Sequence, residues 1–229
     1  MAFALSSRNR AHFEVGASIL IANLPSLNNN NRQNIIRRFA VPSGRGYWPC
    51  WEDYIAARGI FITGTDTGVG KTLVSAALLS VLRSRGVDAV PMKAVQTGAI
   101  RRHGRWCSPD LDFCLARVDL RVNHLEYARM APYCFPKACS PHLAAALARR
   151  RIDCGHIKAC LRSLQARHAL VIAEGAGGVC VPLRGRQTML DLMAALGLPV
   201  VVVARLGLGT INHTAPRRVT HSFPPLPET

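Results

Sequence analysis

Acidic residues are scarce in this 229-residue chain: 13 Asp and Glu stand against 29 Lys and Arg, a formal net charge of +16. Lysine is scarcer still, since only four of those basic residues are Lys and the other 25 are Arg. A strong basic balance admits nucleic acid or an anionic surface as partner. The arginines, however, are scattered, in runs no longer than three, such as 101–102, 149–151 and 217–218. Aromatic residues are few (6%) and do not interleave with them. No nucleic-acid motif is present, and the expectation is a solvated basic surface around an enzyme that binds anions.

Other absences narrow the class further. The longest apolar run, 198–204, is the size of a strand and far short of a bilayer span, which excludes an integral helical membrane protein. The eight cysteines (50, 107, 114, 134, 139, 154, 160 and 180) contain no CxxC pair, so the usual zinc spacing is missing. They also lack the regular spacing of a small disulfide scaffold, and are expected to be reduced thiols in a cytoplasmic protein. No methionine occurs between Met1 and Met92.

Three sections differ in texture. Residues 1–58 carry few order signals and include the polar stretch "SLNNNNRQN" at 26–34. With seven Arg and three acidic residues this section has some character of an organelle transit peptide, but a low-order, non-catalytic extension is the favoured reading. Residues 59–214 alternate strand-like apolar runs (59–63, 88–92, 169–173, 198–204) with helix-like stretches (71–85, 142–150, 156–167, 188–197). That alternation predicts parallel strands joined by helical crossovers. Ser140-Pro141 places a capping residue and a first-turn proline ahead of one of these helices. Residues 215–229 hold four prolines, which rules out a continuing helix or an interior strand.

The sharpest motif is "GTDTGVGKT", residues 64–72, directly after the first apolar run. The standard phosphate loop has Gly, four residues, then Gly-Lys-Ser/Thr; here Gly70-Lys71-Thr72 fits the end and the upstream glycine is one place early. The physics survives the shift. Successive backbone N–H groups of a Gly-rich turn at a helix N-terminus form an anion nest. Lys71 would reach the outer phosphates and the Thr72 hydroxyl would ligate Mg²⁺. Together with the alternation this predicts an α/β fold of P-loop NTPase type, its mostly parallel sheet flanked by helices on both faces.

Further candidates follow along the chain. Lys93 ends a strand-like run and would project into the crevice where α/β sheets bind ligands, although a strand-end lysine is common. Asp110 and Asp112 in "SPDLDFCLAR" could each ligate Mg²⁺, or could simply stabilise a helix start; spacing does not separate them. Glu174 is sharper. Four apolar residues lead straight into it, and Gly175-Ala176-Gly177-Gly178 follow, so a dry strand delivers a carboxylate beside small residues.

These elements in this order ("GTDTGVGKT", "MKAVQTG", "PDLDFCLA", "SPHLAA", "EGAGG", "GTINHT") resemble the dethiobiotin synthase family over residues 59–214. The resemblance implies a carboxylase that consumes ATP with Mg²⁺. It would join CO₂ (or bicarbonate) to one amine of 7,8-diaminononanoate, phosphorylate the carbamate and close the ureido ring. By the same resemblance Lys93 is the catalytic residue that meets the carbamate. Gly68, Val69, Gly70, Lys71, Thr72 and Leu73 form the nucleotide loop. Thr72, Asp110 and Glu174 hold the metal, which favours Asp110 over Asp112. Glu174, Gly175, Ala176 and Gly177 border the nucleotide, and Thr97 contacts substrate. Gly209, Thr210, Ile211 and Asn212 hold the substrate's distal carboxylate across the interface of a homodimer.

Two departures stand out. Ala94 replaces the proline usual after the lysine, and after "INHT" the family's further helix and adenine-reading strand give way to the Pro-rich tail. The tail has the look of a shifted or early-ended reading frame, so an inactive, incomplete synthase is one alternative. A partition-type ATPase switch is another, although this loop lacks the extra early lysine of that class. An amidotransferase-type relative would need a glutaminase domain for which there is no room.

Overall fold

A computed structural model describes the backbone of residues 17–22 and the whole of residues 57–205. The strands are β1 (Ala17–Ala22), β2 (Gly59–Gly64), β3 (Ala89–Lys93), β4 (Gln96–Thr97), β5 (Ile100–Arg102), β6 (Arg105–Cys107), β7 (Cys134–Phe135), β8 (Leu170–Glu174), β9 (Pro182–Arg184), β10 (Gln187–Thr188) and β11 (Val200–Arg205). The helices are α1 (Lys71–Ser84), α2 (Pro109–Arg117), α3 (His124–Met130), α4 (Pro141–Leu147), α5 (Cys154–Gln165) and α6 (Met189–Leu196).

Five strands form the central sheet in the order β1-β11-β2-β8-β3. The four from β11 to β3 are mutually parallel, and β1 adds an antiparallel edge. Strands buried on both faces read as unbroken apolar runs, and here alternate side chains feed two cores. Phe61, Val90, Met92, Val171, Ala173, Val200 and Val202 point to one, with residues of α3, α4, α5 and α6. Ile60, Ile62, Ala89, Leu170, Ile172, Val201 and Val203 point to the other, under α1. The expected α/β architecture with helices on both faces is what the chain adopts.

Helix α1 shows how the pattern positions the site. Its buried residues Lys71, Val74, Ser75, Leu79 and Leu82 recur at three- and four-residue spacing and so share the face turned to the sheet. The lower part of that face is apolar, and its first turn and a half carries Lys71 and Ser75 instead. The helix opens at Gly70, whose φ of 99° is a left-handed conformation that glycine adopts without strain.

Boundaries moved where local signals were weak. The helix expected over 142–150 spans Pro141–Leu147, since Arg149 turns left-handed with φ 51°. Pro141 does occupy the first turn, but the Ser140 side chain makes no capping bond. Helices α2 and α3 carry real caps instead: the Ser108 hydroxyl accepts from Leu111 N–H and the Asn123 side chain from Glu126 N–H. Residues 206–229, and those of 1–56 outside β1, lie outside the described residues. Among the described residues no helix is long and apolar enough to cross a membrane.

Candidate functional site

Parallel α/β sheets present their ligand crevice at the carboxyl ends of the strands, where neighbouring connections diverge. Here the connection from β2 runs through α1 to β3, passing over β8, while β11 lies on the other side of β2. Register then brings chemistry together. Lys93, the last residue of β3, is paired with Glu174, the last residue of β8, and Glu174 is also level with Ile62 of β2. Two residues 81 positions apart thus end side by side, next to the loop that follows β2.

Glu174 is 3% exposed, and its carboxylate is almost fully committed. Its Oε1 accepts from the Thr72 hydroxyl at 2.9 Å and from Lys93 Nζ at 2.7 Å. Its Oε2 accepts from the Ser75 hydroxyl at 2.9 Å. Lys93 Nζ also lies 2.6 Å from Asp110 Oδ2 and donates to the Gly175 carbonyl at 3.2 Å. One ammonium therefore bridges two carboxylates that come from α2 and β8. Burial alone would lower the pKa of Lys93, but the charges and hydrogen bonds of Glu174 and Asp110 outweigh it and hold the group above its ordinary range.

The loop itself is drawn inward. Lys71 Nζ donates to the Asp66 carbonyl of its own loop at 2.7 Å, and Thr67 N–H donates to the Asp66 carboxylate at 2.6 Å. Burial, reinforced by the positive charge of Lys93, lowers the Lys71 pKa. Val69 is buried against Gly64, where a Cβ would come within 2.6 Å of Val69 Cγ2. Gly68 has φ 71°, so the turn depends on glycine at both 68 and 70. Leu73 is exposed.

The remaining expected residues fall into two groups. Gly175 packs against Phe61 and Met189, Ala176 is buried, and Gly177 has φ 63° with Val181 where a side chain would go. Thr97 lies on β4, which pairs with β7 beyond the end of β3. Gly209, Thr210, Ile211 and Asn212 lie outside the described residues.

Asp110 and Asp112 separate clearly. Asp110 reaches Lys93, whereas Asp112 accepts from the Tyr127 hydroxyl at 2.6 Å and faces Arg102 at 3.4 Å. Asp112 thus ties α2 to α3.

Sequence reading missed Ser75 and Cys114. Ser75 stands three residues after Thr72 on one helix, a spacing that places both hydroxyls on the same face, so the signal was there. Cys114, one turn after Asp110, sits with its thiol 3.9 Å from the Thr72 carbonyl, which only the packing of α2 on α1 reveals.

A Mg²⁺ ion fits the donor set. It prefers one or two carboxylates, completed by phosphate oxygens and water, and the site offers two carboxylates, Asp110 and Glu174, already gathered on the Lys93 ammonium, with the Thr72 hydroxyl bonded to Glu174.

Comparison with known proteins shows the family. A profile of the AAA domain family matches residues 58–217. An ATP-dependent dethiobiotin synthetase of Anaeromyxobacter dehalogenans is 49% identical over 158 residues, covering 69% of this chain and 68% of the relative. The synthetase of the same name from Clostridium kluyveri is 42% identical over 164 residues, 69% of this chain and 66% of the relative. One from Methanococcus vannielii is 39% identical over 155 residues, 68% of each.

Proposed function

Because this chain belongs to the ATP-dependent dethiobiotin synthetase family, we propose that it is a ligase that forms dethiobiotin at the expense of ATP. Its substrates are 7,8-diaminononanoate and CO₂, and its place is biotin synthesis. The observation that supports this reading most is the cluster beside the phosphate loop, in which strand register pairs Lys93 with Glu174 and helix α2 adds Asp110.

The reaction needs three things from the protein. One amine of the diamine combines with CO₂ to give a carbamate, and a carbamate oxygen takes the terminal phosphoryl group of ATP. The second amine then attacks the carbamate carbon and phosphate leaves, closing the ring. The loop from Gly68 to Leu73 holds the nucleotide phosphates through backbone N–H groups at the start of α1, with Lys71 swinging from the Asp66 carbonyl to the outer phosphates. Lys93 is the catalytic group: its ammonium faces the negative charge of carbamate and transferring phosphoryl group, and burial strengthens that interaction. Thr97 orients the diamine, and Gly175 to Gly177 leave room for the nucleotide. Thr72, Asp110 and Glu174 would hold Mg²⁺, which supplies charge neutralisation at the phosphates.

The diamine's distal carboxylate belongs with the segment Gly209, Thr210, Ile211 and Asn212, in a homodimer whose partner completes the site. These four residues carry the reading by resemblance alone.

The test is phosphate release from MgATP with each substrate omitted in turn, with mass spectrometry of the product. Release that requires both diamine and bicarbonate, and a product of dethiobiotin mass, supports the proposal. Release indifferent to the diamine points to an ATPase switch. No release from folded protein, with Lys93→Ala behaving identically, overturns activity for this chain.

A further inference from the structure

Lys93 is held in a way that does not suit its catalytic work. Its ammonium touches both carboxylates expected to hold the metal, at 2.6 Å to Asp110 and 2.7 Å to Glu174. It is 5% exposed, and its third contact is the Gly175 carbonyl. A lysine so committed has no hydrogen left for a carbamate or a phosphoryl oxygen, because an ammonium carries three donors. Its substrate role therefore requires that these bonds be given up.

We infer that Lys93 is the resident counter-ion of the metal cradle, and that a divalent cation displaces it from Asp110 and Glu174 and so frees it to face the substrate. The inference rests on the reading of this site as a metal-assisted phosphoryl-transfer centre. Charge counting supports it. Two carboxylates and one ammonium leave one negative charge in a buried setting, whereas two carboxylates and a divalent cation leave none. With the cation present the Lys93 ammonium has no charge partner in the cluster, and a bound anion becomes its best one. Without the cation, the same ammonium keeps the buried Glu174 carboxylate from being left unpaired beside the half-buried Asp110, which would be costly.

The second ammonium in the neighbourhood behaves differently, which makes the claim specific. Lys71 donates to the Asp66 carbonyl and touches neither carboxylate. Both lysines lie close enough to the cluster to repel a metal, but only Lys93 occupies the lone pairs that a metal would use. The Thr72 hydroxyl, now donating to Glu174 Oε1, would likewise have to turn its proton away.

The experiment titrates Mn²⁺ into the whole chain without nucleotide, following free Mn²⁺ by electron paramagnetic resonance. Wild type, Lys93→Met and Lys71→Met are compared. Displacement predicts affinity at least about tenfold higher in Lys93→Met than in wild type, and a much smaller gain in Lys71→Met. It also predicts that Mn²⁺ raises the melting temperature of Lys93→Met more than that of wild type, since the metal restores the lost counter-charge. Equal gains in the two variants mean simple repulsion and overturn the inference.

Should Lys93→Met fail to fold, wild type alone decides the question. Reductive methylation of Lys93, located by peptide mass, is expected to be slow without metal and several-fold faster with Mn²⁺. Unchanged labelling while Mn²⁺ is bound overturns the displacement. Failure of wild type to bind Mn²⁺ even with ATP present overturns the underlying metal-site reading instead.

Discussion

Ser75→Ala isolates one hydrogen bond at the centre of the site. The hydroxyl donates to Glu174 Oε2 at 2.9 Å in a setting where Ser75 is 2% exposed and Glu174 3%. Removing it leaves a charged oxygen buried without that donor, and hydrogen bonds to charged groups contribute about 1.5–3 kcal/mol. Ala loses no appreciable packing volume, and in mid-helix it is favoured over Ser by roughly 0.5 kcal/mol. The net expectation is a loss of about 1–2.5 kcal/mol. With a urea dependence of about 2–3 kcal/mol/M for a domain of this size, the unfolding midpoint falls by roughly 0.5–1 M with unchanged slope. Urea titration followed by circular dichroism, without metal or nucleotide, is the assay. A midpoint within about 0.2 M of wild type would refute the reasoning, because Glu174 would then not depend on Ser75. Ser75→Thr, which keeps a hydroxyl, separates loss of the bond from loss of the residue.

Three further outcomes follow from the same geometry. The pKa of Lys93 is raised in the fold above its ordinary 10.5, so its ion pairs stabilise the protein fully below that pH and the contribution is lost as pH rises through the folded value. The buried thiols already lower the stability of both proteins as pH rises past about 9, so the readout is the gap between wild type and Lys93→Met, which should stay level from pH 8 and close only beyond about 10.5. Burial pushes the Cys114 and Cys134 thiols up to about 12, whereas Cys180 is exposed. Iodoacetamide at pH 8, read by peptide mass, should modify the exposed Cys180 early and the buried Cys114 and half-buried Cys134 much more slowly; early loss of Cys114 would contradict the packing of α2 on α1. Gly64→Ala would drive a Cβ to 2.6 Å from Val69 Cγ2 and 3.2 Å from the Lys71 stem. The overpacking is worth about 1–3 kcal/mol, so ATP affinity measured by calorimetry should fall about five- to hundredfold, and Val69→Ala in the same chain should restore part of it.

Much of this protein was determined by sequence alone because its signals are local. Unbroken runs such as Val200–Ala204 and Leu170–Ala173 announce strands buried on both faces, and the three- and four-residue recurrence after Lys71 announces a helix. A Gly-rich turn between them can only be an exposed connection, and Gly68 and Gly70 do take the positive φ values that such a turn needs. Glu174 could be picked out because a carboxylate at the end of an apolar run demands partners. What sequence could not supply was which partners. The tie between Asp110 and Asp112 is not decided by spacing, since both lie in the first turn of α2. It is decided by where α2 packs: Asp110 meets Lys93, while Asp112 is taken up by Tyr127 and Arg102. The pairing of Lys93 with Glu174 likewise depends on strand order, because β8 inserts between β2 and β3 and puts residues 81 apart at one level. Local composition encodes what each segment becomes, since burial and backbone preference act within a few residues. Register between strands and packing between helices decide which charges meet, because those distances are set by contacts far apart in the chain.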